Sequence, residues 1–177
     1  SRKFGASKHL GVSIAIIGLD HSGKSTIAQN MGLERNAEVA PTVGCKVEKF
    51  QHKTTDGSEI WKIEAYDFAG AKEYRDLWDT HFQNSEAIIF VVDAAAPDRF
   101  GEAREALQNV LRHNEATMGQ PILVLANKMD LATAVTAPDC FEVLNLHTAD
   151  ARDIHIQATS GLTGEGIPAV FQWLMEH

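Results

Sequence analysis

The chain has 177 residues, 44% hydrophobic and 23% charged, with a formal net charge of -8. That length is enough for one domain with a buried core, and the acidic balance argues against a nucleic-acid partner. Two cysteines, Cys45 and Cys140, make no disulfide framework and fit a reducing, cytoplasmic setting, while no apolar run reaches membrane-span length and no secretory signal is present.

The first eleven residues form an N-terminal segment in which Arg2, Lys3 and Lys8 are basic. Two readings stand for it: contact with an anionic membrane surface, or a solvated terminus. The chain starts at Ser1 rather than Met, the expectation for a processed or trimmed start that could have lost a lipidation site. Residues 12–17 are mostly apolar and end at Gly18, the pattern of a buried strand, and a helix is expected over 24–32. Residues 33–44 lack periodicity and contain Pro41, which predicts a loop. Residues 45–53 and 59–68 predict two strands around the hairpin signal Asp56-Gly57.

The continuous apolar run 87–92 predicts a strand covered on both faces. Pro97 opens a helix with the stripe Phe100, Ala103, Leu107, Val110 and Leu111. A buried strand is expected over 122–126, a short helix from Pro138 through 144, and a last strand over 154–158. Ile167, Val170, Phe171, Leu174 and Met175 form the inward stripe expected of the final helix. Alternating strands and helices predict one α/β domain over 1–177, a mostly parallel sheet with helices on both faces and one antiparallel edge.

Gly18-Leu19-Asp20-His21-Ser22-Gly23-Lys24-Ser25-Thr26 contains the pattern G-x-x-x-x-G-K-[ST] where a strand turns into a helix. Backbone N–H groups and the helix start favour phosphate oxygens there. Lys24 can neutralise the terminal phosphates and the Ser25 hydroxyl can bind Mg²⁺. This loop marks a nucleotide but does not separate ATP from GTP. Asn127-Lys128-Met129-Asp130 selects the base: the Asp130 carboxylate can accept from both N–H donors of guanine, a pair adenine lacks. Asn127 can fix the base and the neighbouring loops, and the Lys128 stem can lie across the ring. Backbone N–H groups at Ala158, Thr159 and Ser160 could reach the guanine carbonyl oxygen. Asp67-Phe68-Ala69-Gly70 fits D-x-x-G, with Asp67 a candidate Mg²⁺ ligand through water and Gly70 N–H a γ-phosphate donor. Thr42 is the candidate second hydroxyl on the metal.

The strings GLDHSGKST, APTVG, DFAG, RDLW, NKMD and ATSG resemble an Arf-like small GTPase, over residue 12 to the C-terminus. VEKF, AIIFVVD, ANKMDLATAV and GEG are most similar to the ciliary branch that recruits the BBSome coat complex. The resemblance implies a P-loop NTPase domain with a six-stranded sheet, GTP and GDP states, and Mg²⁺. It also implies a monomer that works with an exchange factor, an activating protein and an effector, in the cytoplasm, at a membrane periphery or at the cilium. It implies switches at 36–44 and 69–82, ordered by γ-phosphate through Thr42 and Gly70. The hairpin between them is expected to slide when GTP binds, and in the family this commonly expels an N-terminal amphipathic helix.

Several positions depart from the family. Ala71 stands where a glutamine usually orients the attacking water, so no catalytic residue is assigned and hydrolysis is expected at or below about 10⁻⁴ s⁻¹. Cys45, Tyr66 and His81 replace aromatic residues of an effector-binding patch, which is therefore expected to be smaller and more polar. The hairpin is a few residues longer around 53–58, read as a surface insertion. Three functions compete: a regulatory GTPase in membrane or ciliary trafficking, a GTP-binding interaction module without turnover, and a P-loop kinase. The last has no segment suited to an arginine-bearing lid.

Overall fold

A computed structural model describes residues 11–31, 34–42, 45–53, 60–68, 85–116, 119–148 and 154–176. The strands are β1 (Gly11–Leu19), β2 (Glu34–Thr42), β3 (Cys45–Lys53), β4 (Ile60–Phe68), β5 (Ala87–Asp93), β6 (Ile122–Asn127) and β7 (His155–Ala158). The helices are α1 (Lys24–Asn30), α2 (Phe100–Ala116), α3 (Ala137–Val143) and α4 (Ile167–Glu176). Two 3-10 turns, Pro97–Arg99 and Leu146–Thr148, precede α2 and follow α3.

The strands form one sheet in the order β2-β3-β4-β1-β5-β6-β7. β1, β4, β5, β6 and β7 pair in parallel, and β3 is antiparallel to both its neighbours. The doubly wound α/β class is the expected one. The expected loop at 33–44 is corrected: β2 adds a seventh strand outside the hairpin, so the antiparallel strand β3 is not itself the edge. Residues 34–42 show no alternation, and pairing to β3 rather than propensity makes them a strand. Pro41, the charges at 34, 35 and 38, and two register shifts suit an edge position.

Each face of the sheet carries its own core. Ala15, Ile17 and Leu19 of β1 join Ile88, Phe90 and Val92 of β5 in packing against Phe100, Ala103, Leu107, Val110 and Leu111 of α2, the stripe expected from spacing. Ile14 and Ile16, one residue out of phase, face Ile27 and Ala28 of α1 and Ile167, Val170 and Leu174 of α4. This period of two in a doubly covered sheet is why β1 and β5 read as unbroken apolar runs. One inward position was misplaced: Met175 is 64% exposed, and Trp173 is buried in its stead, because the buried stripe runs 167-170-173-174.

Tyr66 also departs from its expected place. It is 1% exposed within the α2-side core, and its hydroxyl donates to Glu64. It therefore does not contribute to a surface patch in this arrangement. The side chain of Cys45, and all of His81, lie outside the described residues, as does most of the 53–58 extension.

Candidate functional site

The carboxyl ends of β1, β5, β6 and β7 meet at one rim of the sheet, where ligands of doubly wound folds sit. At Gly18 a Cβ would lie 2.4 Å from the Val91 carbonyl oxygen, so only glycine lets β1 approach β5 that closely. The loop then turns through His21, with φ 61°, and closes with Ser22 N–H donating to the Leu19 carbonyl at 3.3 Å. Lys24 is 4% exposed at the start of α1. Its ammonium donates to the Leu19 carbonyl oxygen and to Ser22 Oγ, both on the loop itself. Phosphate oxygens offer the same ammonium stronger, charge-assisted acceptors.

Asn127 ends β6 and is 1% exposed. Its Nδ2 donates to the Ser22 carbonyl at 2.9 Å. Its Oδ1 accepts from Thr159 Oγ1 and from Gly161 N–H, both at 3.1 Å. One amide thus joins the phosphate loop to the loop after β7. Lys128, at φ 71°, reaches back so that Nζ donates to the His21 carbonyl at 2.7 Å and pairs with Asp93 Oδ2 at 2.8 Å. Asp130 is exposed, and its Oδ1 accepts from Ser160 Oγ at 2.7 Å. Thr159 is fully buried and Ala158 half-buried at the end of β7, with Thr159 N–H donating to the Ala126 carbonyl at 2.9 Å. A Cβ on Gly161 would lie 3.1 Å from Thr26 Cβ, so the exposed Thr26 flanks the same loop.

The structure therefore brings residues 18–26, 127, 128, 130, 158 and 159 to one rim. The metal candidates divide. Ser25 Oγ donates to Glu48 Oε2 at 2.6 Å. Asp67 pairs in register with Gly18 across β4 and β1, which sets its backbone beside the start of the phosphate loop. Thr42 is not brought in: Thr42, Cys45, Phe68 and Leu19 form one row across β2, β3, β4 and β1. Three strand spacings put Thr42 about 14 Å from β1. Gly70 and Ala71 lie outside the described residues.

Sequence reading missed Arg99, Asp93, Glu48 and the hydroxyl of Ser160. Asp93 had a signal, a carboxylate at the end of a buried strand. Arg99 had none, because its partner Asp20 is 79 positions away. Its guanidinium Nη2 donates to Asp20 Oδ1 at 2.6 Å and lies 3.4 Å from Glu102 Oε2. Partial burial works against that charge, but the hydrogen bonds and opposite charges of Asp20 and Glu102 outweigh it and hold the pKa above the usual arginine value.

Residues 2–177 match the ADP-ribosylation factor family. ADP-ribosylation factor-like protein 6 of Caenorhabditis briggsae is 36% identical over 179 residues, covering 98% of this chain and 90% of that protein. The solved Arl6 BBS3 small GTPase from Trypanosoma brucei, with bound nucleotide analogue GppNp, superposes with a TM-score of 0.72 at 34% identity. That match covers 94% of this chain and 96% of the other. With the phosphate-loop string at the end of β1 and Asn127 tying it to the loop after β7, the chain belongs to the ADP-ribosylation factor family and is an Arf-like small GTPase.

Proposed function

We propose that the protein is a GDP/GTP-dependent switch that binds its nucleotide through residues 18–26, 127, 128, 130, 158 and 159. The supporting observation is the Asn127 side chain, which bonds the Ser22 carbonyl on one side and Thr159 and Gly161 on the other. Through it, a base held at Asp130 and phosphates held at Lys24 depend on one shared brace. Asp130 supplies guanine selectivity, since its carboxylate can accept from the two N–H donors on that base's edge.

Mg²⁺ fits the donor set at Ser25. The hydroxyl proton is already taken by Glu48, which leaves the oxygen lone pairs to face a cation. Ser25, Asp67 and, after rearrangement, Thr42 are its proposed ligands. A cation held there would supply charge neutralisation for the phosphates beside Lys24.

The regulated process is membrane or ciliary trafficking, with the GTP form recruiting an effector such as a coat complex. An exchange factor loads the switch, and an activating protein unloads it. Similarity to ADP-ribosylation factor-like protein 6 supports this reading. Ala71 supports very slow intrinsic hydrolysis, because a methyl group cannot orient water. The same residue favours the second reading, a GTP-binding interaction module with no turnover of its own.

Binding of fluorescent GDP, GTP and ADP to the full chain tests the assignment. Guanine preference is expected, and adenine preference overturns it. Single-turnover GTP hydrolysis without partners is expected at or below about 10⁻⁴ s⁻¹. Acceleration by a candidate activating protein supports the switch, and its absence across candidates supports the module.

A further inference from the structure

Arg99 closes the 3-10 turn before α2 and grips the phosphate loop from below. Its Nη1 donates to the Asp20 backbone carbonyl at 2.7 Å while Nη2 donates to Asp20 Oδ1 at 2.6 Å. The pair borders a cavity of about 150 Å³ lined also by Leu19, Val91 and Phe100. Asp20 and Arg99 side chains are 37% and 26% exposed, so solvent screens them only in part. Glu102, in the first turn of α2, also pairs with Nη2, at 3.4 Å.

That contact puts a carboxylate and its counter-charge at the phosphate-binding loop. Asp20 adds a carboxylate to a segment whose N–H groups attract anions. A free carboxylate there opposes a polyphosphate, and opposes a triphosphate more than a diphosphate because the former carries more negative charge. Arginine answers this with a planar fork that gives one nitrogen to the main-chain carbonyl and the other to the side-chain carboxylate of one residue, a fixed geometry that a flexible lysine ammonium does not impose.

We propose that Arg99 is a positioning residue for nucleotide discrimination: it holds the Asp20 carboxylate and carbonyl toward α2 and so preserves the affinity for triphosphate relative to diphosphate. This rests on the guanine-nucleotide function proposed above. Arg99 acts through Asp20 and the loop's path, not by touching the nucleotide.

The test measures dissociation constants for GDP and a non-hydrolysable GTP analogue on the full chain. Arg99→Ala is expected to shift the affinity ratio toward GDP by about tenfold, the effect of one partly screened charge. Arg99→Lys, which keeps charge but loses the fork, is expected to fall between. Adding Asp20→Asn to Arg99→Ala is expected to return the ratio to near the wild-type value, since the repelling carboxylate is gone. Equal loss of both nucleotides in Arg99→Ala, or a shift that persists in the double variant, overturns the proposal. Should Arg99→Ala fail to fold, Arg99→Lys alone decides: a ratio moved toward GDP supports it, and an unchanged ratio or an equal loss of both nucleotides overturns it. Wild-type protein that binds no guanine nucleotide fails the underlying function instead, and the GDP titration reads that separately.

Discussion

Gly23 and the Asn127 amide nearly touch: a Cβ built on Gly23 would lie 2.4 Å from Asn127 Nδ2. Gly23 also sits at φ 98°, where L side chains are strained. Asn127 cannot retreat easily, since its amide bonds Ser22, Thr159 and Gly161 at once. Gly23→Ala is therefore expected to cost about 1–3 kcal/mol in a urea melt and to accelerate GDP release at least about tenfold. Gly101 is the control. It lies in α2 with nothing within 4 Å of its Cβ position, so Gly101→Ala is expected to be neutral or to stabilise by up to about 1 kcal/mol. Similar losses in the two variants would show that the Gly23 contact is unimportant.

Asp130 is exposed, with one carboxylate oxygen held by Ser160 Oγ. That bond orients the acid without neutralising it. Asp130→Asn exchanges an acceptor for a donor and so inverts the match to the base. GDP affinity is expected to fall by about 1–3 kcal/mol, the range for a bidentate base contact, and xanthosine diphosphate affinity to rise. Parallel titrations with the two nucleotides measure both. Unchanged GDP affinity removes Asp130 from the base site.

The legible parts of this site are strings whose chemistry is local. Gly18 to Ser25 needs only its own residues to form a phosphate loop, and Asn127 to Asp130 needs only the strand before it. What ties them is not local. Asn127 meets Ser22 across 105 positions, Arg99 meets Asp20 across 79, and Ser25 meets Glu48 across 23. None of these partners stands out in its own neighbourhood. Glu48 alternates along β3 like any strand residue, yet it is 7% exposed and accepts the Ser25 hydroxyl. β2 was hidden for a related reason: residues 34–42 carry no strand period, and their conformation is set by the neighbour they pair with.

Cys140 gives a pH dependence with a defined sign. The thiol is buried on α3, and burial first, then the charge of Asp139, pushes its pKa from 9.0 up to about 11. Below pH 9 both folded and unfolded thiols keep their proton, and no stability depends on pH through this group. Between pH 9 and about 11 the unfolded chain loses the proton while the folded chain retains it, so stability falls as pH rises. The loss approaches about 2–3 kcal/mol. Urea midpoints at pH 8 and pH 10.5 are expected to decline less in Cys140→Ala than in the wild type. Equal declines in both proteins would assign the alkaline loss to other groups.

If Thr42 shares a metal ion with Ser25 as proposed, the sheet edge is an element whose movement can be blocked. In this arrangement Thr42 lies across β3 and β4 from β1, while Ser25 follows the phosphate loop directly after β1. A hydroxyl shared between them on one metal ion requires β2 to leave β3. Val39 and Val47 are directly paired across β2 and β3. Paired residues in an antiparallel ladder have Cα atoms about 4.5–5.5 Å apart, within disulfide range. Val39→Cys with Val47→Cys, in a Cys45→Ser background to prevent mispairing, is expected to oxidise to a single cross-link verified by mass. The oxidised protein is expected to bind GDP as the reduced form does, yet to bind a non-hydrolysable GTP analogue at least about tenfold more weakly. Reductant is expected to restore the difference within the same sample. Comparing redox states of one variant removes any effect of the substitutions themselves. If the oxidised form binds both nucleotides as the reduced form does, the edge strand need not move, and Thr42 has no part in holding the metal with Ser25.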